Sequence, residues 1–268
     1  MTAVTNQEAR DTVETGPSLA AWRERAPAIV VAIVIIALWQ ICIDLFSVPI
    51  YIAPSPLVVA HEAFTRAPLL FQNMLPTLME ALVGFFAGNG AAVLFAILLV
   101  HNRTAERGFY PIAVFVHSIP ILAIAPILVL LFGTGYAPKM IIASLLCFFP
   151  MLVNMVRGLK AVNPQAMELM QIISANRREI FFKLRLPSSL PFLFAALKVT
   201  APACIIGAIV GEWIGSSVGL GALILEATFN FRSPLLYATI FLSSGLAIAL
   251  FAIVGVVERR VIHWKTGE

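Results

Sequence analysis

Six stretches of this 268-residue chain are apolar and long enough to cross the hydrocarbon core of a bilayer, which takes an α-helix about 20 residues. Hydrophobic residues make up 60% of the chain and charged residues 12%, and the mean hydropathy is +0.94. These values exclude a water-soluble globular domain, a disordered chain and a nucleic-acid-binding surface. We therefore expect an all-α membrane protein with six transmembrane helices, at residues 28–46, 77–100, 111–132, 138–156, 190–214 and 235–257.

The positive charges predict how these helices are oriented, because Lys and Arg resist translocation across the membrane. With both termini in the cytoplasm, all of the 18 Lys and Arg residues lie inside except Arg66, Lys139 and Arg232. The pattern predicts an N-in, C-in protein. We expect a cytoplasmic segment at residues 1–27, a six-helix transmembrane domain at residues 28–260 and a short cytoplasmic tail at residues 261–268. The first segment lacks the pattern of a cleaved signal peptide.

Two segments are too short or too polar to span. Residues 55–66 begin with Ser55 as a helix N-cap and Pro56 at the first helical position, which predicts a short helix on the outer surface. Residues 215–229 contain Gly215, Gly219 and Gly221 and continue as an apolar run, which predicts a flexible hinge followed by another short helix.

The longest cytoplasmic connection, residues 157–189, is rich in Arg and Lys. Asn163 and Pro164 predict the start of one helix that runs to Ser174, and Ser174 predicts the cap of a second helix that ends near Pro187. Two interpretations remain open. The loop is either an amphipathic hairpin whose arginines bind lipid headgroups or a docking surface for a soluble partner.

The same loop carries a recognisable motif. Glu168-Leu169-Met170, Ser174 and Leu184-Arg185-Leu186-Pro187 resemble the EAA signature of ABC importer permeases, written Glu-Ala-Ala, three residues, Gly, nine residues, Ile-x-Leu-Pro. The spacing matches throughout, and Glu168, Leu186 and Pro187 are identical. Ser174 stands where the signature has Gly, and Ser is a poor replacement if the backbone there has a positive φ.

Further short motifs extend the resemblance over about residues 30–260. They are similar to those of the nitrate, sulfonate and taurine branch of these permeases. They are Ala53–Pro56, His117–Pro120 with Ala125–Ile127, Phe132–Gly135, Phe149-Pro150 with Asn154, Gly211–Trp213 and Gly219–Gly221. The resemblance implies a MetI-like, type I importer fold in the bacterial cytoplasmic (inner) membrane. It also implies a second copy of the permease, two cytoplasmic ABC ATPase subunits and a periplasmic or lipid-anchored substrate-binding protein as partners.

The chain has no G-x-x-x-x-G-K-[ST] sequence to hold nucleotide phosphates, so we expect a transport subunit rather than an enzyme. The resemblance implies that ATP and magnesium are bound by the partner ATPase and that the 157–189 loop is the coupling helix seated in that ATPase. The expected coupling residues are Glu168, Ser174, Arg177, Arg178, Leu186 and Pro187.

Polar groups inside spans are expensive unless they face protein or water, so each is a functional candidate. Glu80 near the outer end of the second span suggests a structural or solvated role, and Glu212 beside Trp213 suggests either an outer gate or an interfacial anchor. The remaining candidates for the translocation path, which could equally hydrogen-bond neighbouring helices, are His117, Ser118, Asn154 and Asn89.

Nothing in the sequence predicts catalysis or a metal site. The four histidines and three cysteines lack metal-ligand spacing, and the cysteines lie in apolar runs that predict buried positions. The resemblance favours a small organic anion, sulfonate or nitrate as substrate. The alternatives are a neutral or aromatic heterocycle, such as a thiamine-precursor pyrimidine, riboflavin or an aromatic acid, and, from another class, an ion-coupled secondary transporter.

Overall fold

The computed structural model describes residues 17–263, and the described chain is helical with short connections. The helices are α1 (Pro17–Leu45), α2 (Pro56–Thr65), α3 (Ala67–His101), α4 (Arg103–His117), α5 (Ile121–Phe132), α6 (Tyr136–Lys160), α7 (Pro164–Ile172), α8 (Arg177–Ile180), α9 (Leu186–Glu212), α10 (Leu220–Phe229) and α11 (Ser233–Val261), with a π turn at Phe181–Arg185 between α8 and α9. The all-α prediction is confirmed.

Four helical stretches in the described range are long and apolar enough to cross a membrane: α3, α6, the continuous run from α8 through α9, and α11. The bent pair α4 and α5 is a fifth candidate, and the apolar part of α1 covers Ile29–Leu45. Six spans and an N-in, C-in orientation stay a prediction.

The sequence predicts one transmembrane helix at residues 111–132, but the structure divides this apolar run into two helices. Helix α4 ends at His117, α5 begins at Ile121, and the two are bent by 94°. Pro120 explains the break, because its ring removes a backbone donor and disfavours the α conformation at Ile119.

Helices α3, α6 and α9 pack closely through small residues. Gly84 and Gly88 of α3 lie against Ala143 and Ser144 of α6, and a Cβ at either glycine would collide with them. Gly207 of α9 approaches α6 from the other side, where a Cβ would lie 2.7 Å from the Ala143 Cα. This spacing of glycines four residues apart lets helix backbones approach within a membrane.

The packed helices define two ends of the bundle. At one end, which we call the cluster end, α3 and α11 meet the short helices α2 and α10 around Leu70, Leu223 and Leu235. Helix α9 contacts α10 at the same end. The other end, the coupling-loop end, holds the α7 and α8 connection above a core that includes Leu99, Met155 and Leu159. The predicted cap of α2 is confirmed, since the Ser55 hydroxyl accepts from the Val58 amide.

The second helix of the loop differs from its prediction in two ways. Its N-cap is Asn176 rather than Ser174, and it does not end near Pro187. The chain instead continues through the π turn into α9, with the Leu186 amide donating to the Phe181 carbonyl. We attribute the difference to this wider turn, which accommodates Pro187 in the first turn of α9 without ending the helical path.

Candidate functional site

A buried cluster of charged side chains joins three helices at the cluster end. The Lys139 Nζ of α6 lies 3.1 Å from Glu80 Oε1 of α3, and the Glu212 side chain of α9 completes the cluster. Glu80 and Glu212 are fully buried and Lys139 is 3% exposed. Charges in such a place are stable only when paired and hydrogen-bonded, so these residues depend on one another.

Glu212 fixes the start of α10. Its Oε1 accepts from the Thr77 hydroxyl at 2.6 Å, and its Oε2 accepts from the Gly221 amide at 2.5 Å. The Thr77 oxygen in turn accepts from the Leu220 amide at 2.8 Å, while Asn73 Oδ1 accepts from the Gly219 amide at 2.9 Å. Side chains of α3 and α9 therefore satisfy the backbone donors at the beginning of α10.

Gly219 is required at this point for two reasons. Its φ is +113°, a conformation that residues with a Cβ rarely adopt, and a Cβ there would overlap the Glu212 carboxylate. Lys139 holds the preceding loop as well, because its Nζ donates to the Ser216 hydroxyl at 2.8 Å. The 215–221 segment predicted as a flexible hinge is thus held by hydrogen bonds to α3, α6 and α9.

Sequence reasoning found two members of this cluster and missed the third. The structure shows Glu80 and Glu212 inside the protein. For Glu80 this agrees with the predicted structural role and not with the solvated one, and the gate and anchor roles of Glu212 stay predictions. Lys139 was counted as a residue of an outer connection. Its place within the predicted 138–156 span was the available signal, since a cation in a span needs a counter-charge.

The coupling loop exposes most of the residues that the motif identifies. The Asn163 side chain caps α7 by accepting from the Gln165 amide at 2.9 Å, as predicted. Ser174 lies at the turn between α7 and α8 with a φ of +54°. Glu168, Ser174, Arg177 and Arg178 are exposed, whereas Leu186 and Pro187 are half-buried at the start of α9.

The predicted path residues lie in different surroundings. Asn89 is buried in α3 and Asn154 half-buried in α6, and the amide group of each donates to a carbonyl one turn earlier in its own helix, at 2.8 Å. His117 and Ser118 are exposed at the break between α4 and α5. The His117 ring stacks on Phe149 with centroids 4.0 Å apart and an angle of 11° between the planes.

The described residues contain no group of three or more His, Cys, Asp or Glu side chains placed to hold a metal ion. Cys147 and Cys204 are buried, as predicted, but Cys42 is exposed. The arrangement of charges, capped turns and close-packed helices is that of a membrane scaffold with an exposed loop at one end.

Comparison with known proteins identifies the family to which this membrane protein belongs. Residues 82–263 match the family described as binding-protein-dependent transport system inner membrane component. The chain belongs to this family of ABC transporter permeases. The permease is therefore a multi-pass protein of the inner membrane, and the EAA motif, coupling helix and homodimer are typical of its family.

Its relatives are named for different substrates. The permease is 34% identical to the formylaminopyrimidine transport permease protein ThiX of Halalkalibacterium halodurans, over 87% of this chain and 93% of that one. It is 32% identical to the riboflavin transport system permease protein RibX of Chloroflexus aurantiacus, over 88% and 89%. A putative aliphatic sulfonates transport permease protein, SsuC of Bacillus subtilis, is 25% identical over 87% and 85%.

A solved structure confirms the MetI-like fold. An inward-facing form of the MetNI methionine ABC transporter superposes with a TM-score of 0.64, at 19% identity, over 74% of the permease and 98% of that chain. At this identity the likeness concerns the fold alone.

Proposed function

We propose that this permease forms the translocation path of an ATP-driven importer for a small planar heterocycle, delivered by an extracytoplasmic binding protein. The family establishes the importer subunit. The relatives that carry a formylaminopyrimidine and riboflavin favour the heterocycle over the organic anion expected from the sequence.

The heterocycle is favoured because Lys139 and Lys198, two positive charges within the helices, are each paired with a carboxylate. Of the described Lys and Arg side chains, only Lys139 is buried, and Glu80 pairs with it. Lys198 of α9 is similarly paired with Glu258 of α11. An anionic substrate crossing a low-dielectric region gains most from an unpaired cation or a dedicated donor set. These paired cations offer it little, whereas an uncharged ring needs no counter-charge.

The proposed assembly contains two copies of the permease and two ABC ATPase subunits, with ATP and magnesium bound by the ATPases. The exposed face of α7 and α8 would contact the ATPase. Glu168 would pair with a basic group there, and Arg177 and Arg178 would engage acidic residues. Ser174 would set the turn between the two helices, and Leu186 with Pro187 would fix the angle at which α9 leaves the loop.

Purification tests the assembly first. The tagged permease is extracted from its native host in mild detergent and the co-purifying chains are identified by mass spectrometry. We expect a P-loop ATPase in about equal amount, together with a binding protein after mild crosslinking. Recovery of the permease alone, also after crosslinking, would contradict the importer assembly and favour the ion-coupled alternative.

The co-purified binding protein then tests the substrate. Riboflavin, a formylaminopyrimidine and an alkanesulfonate are compared as ligands by thermal shift, and as competitors for uptake into proteoliposomes that contain the whole transporter. Stabilisation and uptake with the heterocycles are expected. Stabilisation and uptake with the sulfonate alone would overturn the heterocycle proposal in favour of the anion.

Glu168→Ala tests the coupling contact. We expect the variant to fold and reach the membrane, but to lose ATPase stimulation and uptake, because the docking face loses its charged contact. Gln165→Ala, a change to a neighbouring exposed side chain of α7, is the control and keeps both. Normal uptake with full ATPase stimulation in Glu168→Ala would remove this residue from the coupling site.

A further inference from the structure

A cavity of about 440 Å³ opens at the break between α4 and α5. It lies within the size range of pockets that hold small organic ligands. Helices α3, α4, α5 and α6 all contribute to its wall, and His117, Ser118 and Pro120 of the break lie along it. The broken segment and the cavity are therefore one feature.

Four phenylalanine rings and the His117 imidazole contribute to the wall, and most of the remaining lining residues are aliphatic. Phe95 of α3 makes edge-to-face contact with Phe109 of α4, with centroids 5.7 Å apart, and a tilted contact with Phe148 of α6 at 6.1 Å. Phe149 and His117 form the stacked pair described above. Such rings offer faces and edges to a planar ligand, and stacking of this kind accepts any flat π system.

The composition of the cavity wall favours an uncharged ligand. Among the described residues that line the cavity, none is Lys, Arg, Asp or Glu. The polar groups are the His117 imidazole, which can donate or accept a hydrogen bond, and the Ser118 hydroxyl. An uncharged ring with nitrogen or carbonyl groups matches this wall, and a sulfonate does not.

The break between α4 and α5 leads us to expect that this face contacts protein or water rather than lipid. Where α4 ends and α5 begins, the terminal carbonyls and amides lack partners within their helices. Irregular backbone at membrane depth is tolerated only where it is buried in protein or lines a water-filled cavity. An exposed imidazole beside it, at His117, follows the same rule.

We propose that this cavity is a substrate subsite of the permease itself, in which a planar nitrogen heterocycle stacks on the aromatic rings of the wall and hydrogen-bonds to His117. The proposal rests on the proposed function, and it adds that the permease contacts the solute directly instead of serving as an unspecific passage. His117 and Phe149 are then specificity-determining residues of the path.

Uptake by the complete transporter in proteoliposomes tests the subsite, with riboflavin and a formylaminopyrimidine as probes. His117→Ala and Phe149→Leu are each expected to raise the KM for uptake about tenfold, since each removes one hydrogen bond or one stacking contact. His117→Asn and Phe149→Tyr, which keep a polar group and a ring, should restore most of the affinity. Phe71→Leu is the matched control, because this exposed phenylalanine lines a different groove, and it should leave uptake unchanged.

A cysteine-labelling measurement tests the subsite without relying on uptake by the His117 and Phe149 variants, which could fail to assemble. Ser118→Cys is introduced after the three native cysteines have been replaced by alanine, and its reaction with a small maleimide is followed with and without riboflavin. Riboflavin at ten times its dissociation constant should slow the labelling about tenfold, by occupancy. Ala60→Cys, in the groove lined by Phe71, is the control and should show no such protection.

The outcomes separate the two proposals. Heterocycle uptake that is unchanged in His117→Ala and Phe149→Leu, or equal labelling of Ser118→Cys with and without ligand, would overturn the subsite and leave the proposed function standing. Uptake of sulfonate but of neither heterocycle by the unmodified transporter would overturn both. Reduced uptake with restored affinity in the conservative variants, together with ligand protection, would establish the subsite.

Discussion

At the scale of single residues, Lys139 is the only buried cation among the described side chains. It is the one cation in contact with a cluster that contains two carboxyl groups, and α3, α6 and α9 each contribute one of the three residues. Removing the cation leaves both carboxyl groups buried without a counter-charge, whereas removing one carboxyl leaves a balanced pair.

We expect Lys139→Met to destabilise the permease by about 3–5 kcal/mol, as is typical when one partner of a buried ion pair is removed. Glu80→Gln should be milder, because Lys139 and Glu212 remain. Thermal unfolding of the detergent-solubilised protein measures both. Lys198→Met is the control, since its pair with Glu258 is partly exposed and should change stability by about 1 kcal/mol or less. Equal losses in Lys139→Met and Lys198→Met would contradict this account of the cluster.

Ser174 has a residue-scale consequence of its own. Its φ of +54° strains a serine, and the motif has glycine at this position. We expect Ser174→Gly to stabilise the turn by about 1 kcal/mol and Ser174→Val to destabilise it, because a β-branched side chain suits this conformation least. Hydrogen exchange of residues 172–178 is the measurement. Slower exchange in the valine variant than in the glycine variant would be the contrary result.

At the scale of helices, the contact of α3 with α6 depends on glycine at defined positions. A side chain at Gly88 would meet the Ser144 backbone, while Gly90, two residues further along the same helix, has open space around it. The two glycines therefore offer a matched comparison on one element.

Gly88→Leu should separate α3 from α6 and lower stability by about 3 kcal/mol or more, through overpacking. Gly90→Leu should be tolerated, since leucine also favours the helix more than glycine does. Yield of monodisperse protein on size-exclusion chromatography and its unfolding temperature report the difference. If both variants behaved alike, close packing at Gly88 would not be what holds these helices together.

The elements also show which parts of the fold are visible in the sequence. Local signals worked: the caps at Ser55 and Asn163 were predicted from residue type alone. The break between α4 and α5 could not be predicted from the sequence, because a proline such as Pro120 within a long apolar run is compatible with either a kinked helix or two separate helices. The π turn before Pro187 has no residue signature, and the pairing of Lys139 with Glu80 depends on how separate helices pack, which local spacing does not encode.

At the scale of the whole molecule, the predicted topology states which connections between the helices face the periplasm. With six spans and both ends inside, a phosphatase fused after Ser217 should be active in the periplasm, and one fused after Pro164 should be inactive. Green fluorescent protein at the C-terminus should be fluorescent, because it matures in the cytoplasm. Activity of the Pro164 fusion with inactivity of the Ser217 fusion would reverse the orientation.

The hydrogen bonds around the 215–221 segment also say how the bundle can move. Because α3, α6 and α9 are tied together at the cluster end, a force applied to α7 cannot slide these helices past one another there. We expect them to tilt as one rigid body about that end. The cluster would then act as a fulcrum, and the largest displacement in a transport cycle would occur at the opposite end of the helices.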